Sequence, residues 1–189
     1  AVNDAPTLAA VDAVSFDEDG SGLTTLVGSD IDTASDGLTY SISGGSEATI
    51  SAELVGTTVT FTPFANYNGS ETFTATVTDG EFEASQSFTV TVNAVNDAPT
   101  LAAVSTVSFD EDGSGSTTLV GSDIDSTDLT YTVTGGSDIT ATVDDATVSF
   151  SSPDNFNGSE SFTATVTDGE YSGSQTFTVT VNAVNDAPT

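Results

Sequence analysis

The sequence contains no lysine, arginine, histidine, cysteine, methionine or tryptophan. Because it carries 29 aspartate and glutamate residues and no cationic side chain, its formal net charge is −29. Self-repulsion of this size opposes any compact state, so we expect the compensating charge to come from cations in the solvent. Nucleic acid and anionic membrane surfaces are excluded as partners, because proteins bind both through Lys or Arg.

The other absences limit how the chain can be stabilised. Without Cys there are no disulfides, and without Lys there are no Lys–Asn isopeptide cross-links. Bound cations are therefore the remaining means of stabilising the fold. No apolar run is long enough to span a bilayer and no signal peptide is visible, so we expect no direct membrane contact. The chain also lacks an initiator Met, and we therefore expect it to be a segment of a longer protein.

The heptapeptide AVNDAPT divides the chain into repeats. It begins at Ala1, Ala94 and Ala183, which are 93 and 89 positions apart. A period of about 90 residues is too long for a solenoid repeat and suits one small β-domain. The sequence therefore predicts a first repeat over residues 1–93, a second over 94–182, and the start of a third over 183–189.

Alternating apolar residues and threonines predict β-strands. In Glu71–Thr78, the side chains of Phe73, Ala75 and Val77 alternate with threonines, which is typical of a half-buried antiparallel strand. No stretch has a helical period. The strands predicted in the first repeat are Leu8–Phe16, Leu23–Gly28, Leu38–Ser43, Thr49–Leu54, Thr58–Pro63, Glu71–Thr78 and Phe82–Val92. The predicted fold is all-β, with two tandem seven-stranded Greek-key sandwiches of the immunoglobulin type arranged end to end.

The apolar members of these strands predict one core in each repeat. In the first repeat the predicted core comprises Leu26, Leu38, Tyr40, Ile42, Phe61, Phe73, Val77, Phe88 and Val90. In the second it comprises Leu119, Leu129, Tyr131, Val133, Phe150, Phe162, Val166, Phe177 and Val179. Core packing explains the aromatic residues better than a ligand-binding face does.

Most acidic residues lie in turns, and both repeats hold them at matching places. In a seven-stranded walk, alternate loops lie at opposite ends of the sandwich. One end of the first repeat is predicted to hold Asn3, Asp4, Asp30, Asp32 and Asp79, and the other Glu18, Asp19, Glu71, Asn96 and Asp97. If repeats stack head to tail, unlike ends meet.

These ends predict one complete cation site and two partial ones. The complete junction is predicted to comprise Glu18, Asp19, Glu71, Asn96, Asp97, Asp123, Asp125 and Asp168. The N-terminal half-site comprises Asn3, Asp4, Asp30, Asp32 and Asp79, and the C-terminal half-site Glu111, Asp112, Glu160, Asn185 and Asp186. A cage of oxygen ligands suits Ca²⁺, which takes about six to eight oxygens in loose geometry, better than octahedral Mg²⁺. Softer metals lack ligands they prefer.

Three motifs resemble the cadherin family, specifically the bacterial cadherin-like immunoglobulin repeats of giant RTX-type surface adhesins. Asn96-Asp97-Ala98-Pro99 resembles the cadherin linker, although Ala94 stands where the first linker Asp would be. The D-x-D motifs at Asp30/Asp32 and Asp123/Asp125, and the T-D-G runs ending at Gly80 and Gly169, match as well, whereas the L-D-R-E motif is absent. The resemblance implies Ca²⁺ at repeat junctions, extended arrays, and an extracellular location, at a bacterial cell surface or secreted.

The predicted function is a calcium-rigidified spacer in a large bacterial surface adhesin, with neighbouring repeats of the same chain as partners. Two alternatives remain open. One is a protomer segment of an extracellular filament or sheath, self-associating laterally through threonine-rich faces or sheet edges. The other is a module that binds glycans or a partner through its loops. We do not expect an enzyme, because only paired carboxylates are available for catalysis and small sandwiches offer no obvious cleft.

Overall fold

The computed structural model describes residues 2–185, apart from the side chain of Asp36. The chain divides into two compact units after Val95, and each unit is a β-sandwich, which confirms the predicted all-β fold. Within residues 2–185 the only helical element is a 3-10 turn at Ser35–Gly37. No helix in this range is long and apolar enough to cross a membrane.

The first unit packs a four-stranded sheet against a three-stranded sheet. Its strands are β1 (Thr7–Leu8), β2 (Val14–Asp17), β3 (Gly22–Thr25), β4 (Gly28–Ser29), β5 (Thr39–Gly44), β6 (Ile50–Val55), β7 (Thr58–Pro63), β8 (Gly69–Thr78) and β9 (Glu83–Asn93). The larger sheet has the order β2-β9-β8-β5 and the smaller one β3-β7-β6, while β1 pairs with β4. Side chains of both sheets share one buried cluster.

The second unit repeats this topology strand for strand. Its strands are β10 (Thr100–Leu101), β11 (Val107–Asp110), β12 (Ser114–Thr118), β13 (Gly121–Ser122), β14 (Thr130–Gly135), β15 (Thr140–Asp144), β16 (Thr147–Ser151), β17 (Gly158–Thr167) and β18 (Ser172–Asn182). The sheets have the orders β11-β18-β17-β14 and β12-β16-β15, and β10 pairs with β13. Each contact found in one unit can therefore be checked at the matching position of the other.

The prediction of one continuous strand over Leu8–Phe16 is wrong. The chain changes sheet within this range, because β1 pairs antiparallel with β4 whereas β2 pairs in parallel with β9. The predicted strand Leu23–Gly28 is likewise interrupted, since the backbone N–H of Leu26 donates to the carbonyl of Thr57 between β3 and β4. A local alternation of apolar residues does not reveal which sheet a strand joins.

Three phenylalanines form the centre of each core, as predicted. The ring centroid of Phe61 lies 5.0 Å from that of Phe73 and 5.9 Å from that of Phe88. Fully burying such a side chain contributes about 1.5–3 kcal/mol. Tyr40 and Ile42 were also predicted to be core residues but are only half-buried, because β5 is the edge strand of its sheet.

The second unit shows the same deviation from the predicted core. Leu129, Tyr131 and Val133 are only partly buried and pack against the buried cluster from its side. The Tyr131 hydroxyl accepts the backbone N–H of Gly121 at 3.1 Å, as the Tyr40 hydroxyl does for Gly28 at 2.9 Å. Each tyrosine therefore keeps its ring on the core and its hydroxyl on the backbone of the short pair, β1–β4 or β10–β13.

Candidate cation-binding ends of the two units

We call the end at which the chain enters a unit its proximal end, and the end at which it leaves its distal end. At the proximal end of the first unit, Asp30 closes the turn before β5. Its Oδ1 atom accepts the backbone N–H groups of Asp32 and Thr33, both at 2.7 Å. Its Oδ2 atom is buried and has no hydrogen-bond partner among the described residues. One carboxylate oxygen thus shapes the loop while the other remains unpaired.

The second unit repeats this arrangement at Asp123. Its Oδ1 atom accepts the N–H groups of Asp125 and Ser126, both at 2.8 Å, and its Oδ2 atom is again buried with no partner within residues 2–185. A buried polar atom without a partner costs free energy. Its occurrence in both units indicates a feature of the repeat rather than of one loop.

Carboxylates of the proximal end also hold the incoming chain. In the second unit, the Asn96 side chain donates to Asp168 Oδ2 at 2.7 Å, and the Asp97 N–H donates to Asp125 Oδ2 at 2.7 Å. In the first unit, Asn3 donates to Asp79 and the Asp4 N–H to Asp32, both at 2.8 Å. These bonds, with those of the D-x-D loops, bring together the predicted residues Asn3, Asp4, Asp30, Asp32 and Asp79, and likewise Asn96, Asp97, Asp123, Asp125 and Asp168.

Hydrogen bonds favour the ionised form of two of these carboxyl groups. The backbone N–H groups of Phe82 and Glu81 lower the pKa of Asp79, and the Asn3 side chain adds to the effect. For Asp168, the largest contribution to its lowered pKa is the side-chain donor of Asn96, followed by the backbone N–H of Glu170. Asp79 and Asp168 therefore keep their negative charge further into the acid range than an ordinary aspartate does.

At the distal end of the first unit, Glu18 is buried, with 4% of its surface exposed. Its Oε1 atom accepts the backbone N–H of Val95 at 2.6 Å, and its Oε2 atom is buried with no hydrogen-bond partner among the described residues. Glu111, the matching residue of the second unit, is 8% exposed and accepts the N–H of Val184 at 2.7 Å. Each glutamate thus holds the chain as it leaves the unit.

The distal end contains a further pair that the sequence analysis missed. The Asn93 side chain donates to Asp17 Oδ1 at 3.1 Å, and the Asn182 side chain donates to Asp110 Oδ1 at 3.1 Å. Both asparagines end the last strand of their unit, directly opposite the paired aspartate in the parallel ladder. The recurrence of Val-Asn-Ala before each linker was a signal for this pair.

Glu71 and Glu160 have a local role that the sequence analysis did not predict. The Glu71 carboxylate accepts the N–H of Ser46 and the hydroxyl of Thr49, so it binds the loop between β5 and β6. A Cβ atom on Gly45, which has a φ of +65°, would lie 2.8 Å from Glu71 Oε2 and 2.3 Å from the Phe73 ring. The close approach of this loop therefore requires glycine, and the glutamate acts as its clamp.

Glu160 clamps the matching loop of the second unit with four hydrogen bonds. Its carboxylate accepts the backbone N–H groups of Ser137, Asp138 and Ile139 and the Ser137 hydroxyl, at 2.6–3.1 Å. The Ser137 hydroxyl is the largest cause of its lowered pKa, which falls to about 2. Because Glu71 and Glu160 bind the loops after β5 and β14 and not a linker, we leave them out of the ligands proposed below.

Replacing the clamp should loosen one loop without disturbing the site. Glu160→Gln is expected to destabilise the second unit by about 1 kcal/mol, because an amide accepts fewer of these bonds, and solvent exposure limits the loss. The wild-type clamp should be intact above the ordinary glutamate pKa of 4.5 and be lost as the pH falls towards 2. Amide hydrogen exchange at Ser137–Ile139 measures both effects. Equal protection in Glu160→Gln and a Glu170→Gln control would refute the clamp.

The remaining predicted ligands divide into three cases. Asp19 and Asp112 lie exposed in the turns after β2 and β11, beside the buried glutamates. Asn185 lies just beyond Val184, at the end of the described residues. Asp186 lies outside them. Asp19 and Asp112 therefore remain candidates only by their position at the distal ends.

The two kinds of end offer oxygen ligands, which suit a hard cation such as Ca²⁺. Within residues 2–185, three buried carboxylate oxygens lack hydrogen-bond partners, those of Glu18, Asp30 and Asp123. No group of three or more acidic side chains within residues 2–185 is close enough together to hold a metal ion. An ion at either end would therefore need further ligands, from water, from backbone carbonyls or from another repeat.

A comparison with protein families identifies the repeats. The family described as "Bacterial Ig domain" (Big_9) matches residues 3–93 and 96–182. The chain therefore belongs to the bacterial Ig domain family, as two tandem copies. No curated protein sequence matches the chain.

Solved structures show the same fold class. The Drosophila N-cadherin fragment EC1-4 is 19% identical with a TM-score of 0.64, covering 95% of this chain and 50% of that one. Human protocadherin-24 EC1-2 is 18% identical with a TM-score of 0.60, covering 95% and 100%. An endo-fucoidan hydrolase of glycoside hydrolase family 107 is 22% identical, but this chain spans 29% of its length and the TM-score is 0.39. The cadherin likeness supports Ig/cadherin-like sandwiches and shows the fold alone.

Proposed function

We propose that the chain is a spacer segment of a large bacterial surface adhesin and that Ca²⁺ stiffens the junction between its repeats. The observation that carries this proposal is the buried carboxylate of Glu18. One of its oxygens holds the Val95 N–H, and the other has no partner among the described residues. The family and the fold support the coarser statement, which is a structural extracellular repeat.

The charge of Glu18 requires compensation that the protein does not supply. Burying an unpaired carboxylate costs several kcal/mol, and the chain has no basic side chain at all. A solvent cation is therefore the available counter-charge. Ca²⁺ suits it best, because it accepts carboxylates, carbonyls and waters in irregular geometry, and extracellular modules bind it with a Kd of about 10⁻⁴–10⁻³ M.

The linker carries the second line of support. Three consecutive residues donate to carboxylates: Val95 to Glu18 of the first unit, then Asn96 and Asp97 to Asp168 and Asp125 of the second. An ion that bound these carboxylates beside the linker donors would reinforce each linker contact. We propose the ligands Glu18, Asn96, Asp97, Asp123, Asp125 and Asp168 for the junction, with water completing the shell.

The residues that match these ligands at the outer ends of the two units are assigned in the same way. Asn3, Asp4, Asp30, Asp32 and Asp79 would serve a preceding repeat, and Glu111 with Asn185 and Asp186 a following one. Within residues 2–185, neither kind of end brings three acidic side chains close enough together to hold an ion by itself. In this proposal, Ca²⁺ binding is therefore a property of adjoining repeats, which links stiffness to the presence of the ion.

Small-angle X-ray scattering in millimolar Ca²⁺ and in chelator tests the spacer role. Removal of Ca²⁺ should broaden the range of orientations between the two units and reduce the average end-to-end distance. The circular dichroism spectrum at low temperature should keep its β-signature, because both sandwiches have their own cores. Identical scattering profiles in the two conditions would contradict the proposal.

A further inference from the structure

The strands β5 and β14 are unprotected sheet edges. Each ends the four-stranded sheet of its unit and has six residues, Thr39–Gly44 and Thr130–Gly135. Neither strand contains a charged residue or proline. Natural sheets usually protect such edges with charge, proline, a bulge or short length, because an open edge is a template for pairing with another strand.

The other edges of the main sheets carry at least one of these protections. β6 contains Glu53 and β15 ends at Asp144, so a charge lies on each. β2 and β11 have four residues each and end at Asp17 and Asp110. The edges formed by β3 and β12 are short and break off where the chain moves on to β4 and β13. β5 and β14 are therefore the longest edge strands without a charge or proline.

The core side of the open edge is incompletely covered. Tyr40 and Ile42 of β5 pack on the core but remain half-exposed, as do Tyr131 and Val133 of β14. A further strand placed beside β5 or β14 would cover these apolar side chains. Strand addition would thus combine main-chain hydrogen bonds with burial of apolar surface.

The outer side of the same sheet is neutral next to the edge. Cross-strand rows of hydroxyl residues run inward from β5, namely Ser41, Thr76 and Ser85, and Ser43, Thr74 and Ser87. In the second unit Thr132, Thr165 and Ser174 form such a row. Two chains of charge −29 repel each other strongly where carboxylates face, and this edge lets them approach without such contacts.

We propose that β5 pairs edge to edge, antiparallel, with β5 of a second copy of this chain, and that β14 forms the same contact separately with β14 of another copy. A symmetric dimer contact uses the same patch twice, and a strand without charge is complementary to itself, whereas a basic peptide would find no carboxylate on it. Each pairing joins two four-stranded sheets into one. This lateral contact goes beyond the spacer role and does not require it, since the edges lie along the units rather than at their ends.

Sedimentation equilibrium over a wide concentration range tests the proposal. The buffer should contain Ca²⁺ and about 0.5 M NaCl, so that long-range repulsion is screened. The wild type should associate reversibly. The double variant Ser41→Asp/Thr132→Asp should raise the dissociation constant about tenfold or more, because like charges would then face each other across the new strand pair.

The double variant Thr76→Asp/Thr165→Asp is the matched control. It adds the same charge on the same face, one strand further from the edge, and should associate nearly as the wild type does. Equal loss of association in both double variants would indicate contact through the sheet faces and overturn edge pairing. A wild type that stays monomeric at every concentration would overturn it as well.

Cross-linking gives an independent measurement, since the chain has no native cysteine. Single variants Ser41→Cys and Thr76→Cys, treated with a short bis-maleimide under the same conditions, should differ. Ser41→Cys should yield covalent dimer and Thr76→Cys little. Similar yields from the two variants would contradict pairing between copies. So would cross-linking of Ser41→Cys mainly to an unrelated strand-forming peptide added as competitor.

Discussion

Moving the chain from about 10 mM Ca²⁺ into chelator is expected to lower its melting temperature by about 10 °C or more. A site with a Kd of about 10⁻⁴ M stabilises the folded state by about 2.7 kcal/mol at a hundredfold excess of ligand. In a domain of about 90 residues, each 1 kcal/mol corresponds to about 4–8 °C. Renewed repulsion among the unneutralised acids acts in the same direction.

Scanning calorimetry measures this shift, and two controls separate specific binding from screening. Equal ionic strength supplied as NaCl should recover only a small part of the lost stability, because screening alone does not fill a coordination site. Mg²⁺ should recover less than Ca²⁺, since it keeps its waters and demands octahedral geometry. A melt that is the same in Ca²⁺ and in chelator would refute a calcium site anywhere in the chain.

The substitution Glu18→Gln is expected to change the stability of the first unit in opposite directions with and without Ca²⁺. In Ca²⁺ it should lower the melting temperature by several degrees, because a charged ligand is lost while the amide oxygen can still accept the Val95 N–H. In chelator the substitution should raise the melting temperature, because a buried carboxylate oxygen without a partner is removed. We expect about 1–2 kcal/mol in either direction.

Melting curves of both proteins in both conditions provide the measurement. Glu53→Gln is the control, because it removes the same charge from an exposed position on β6, away from both ends. It should shift the melting temperature slightly, in the same direction with or without Ca²⁺. If Glu18→Gln were equally destabilising in both conditions, Glu18 would be a purely structural anchor of the linker.

The fold was predictable because its signals are local and occur twice. The alternation in Glu71–Thr78 matches β8 (Gly69–Thr78) almost residue for residue. Because threonines mark the outer face of the strand, they also identify the opposite face as the buried one. The contacts of the entering linker with Asp32 and Asp79 were also predictable, since the end at which a loop lies follows from counting strands. Both inferences need only the order of elements along the chain.

The differences between prediction and structure concern the partner with which a strand pairs and the direction in which a side chain points. The break after Leu8 depends on which sheet each half joins, and nothing in the local pattern shows this. Glu18 and Glu71 both adjoin strand ends, yet one is buried under the linker and the other clamps the loop between β5 and β6. Glu71 continues the inward series of Phe73 and Ala75, which was the available sign that it points into its own unit.

The central claim is that Ca²⁺ limits the motion of one repeat relative to the next, and scattering from the two-unit chain tests it most directly. Profiles of the wild type and of Glu18→Gln should be recorded across a Ca²⁺ titration, with Mg²⁺ as the comparison ion. We predict that the wild type changes saturably to a longer average end-to-end distance, while Glu18→Gln requires more Ca²⁺ or does not change. Profiles that are independent of Ca²⁺ in the wild type, or identical responses of the two proteins, would contradict it.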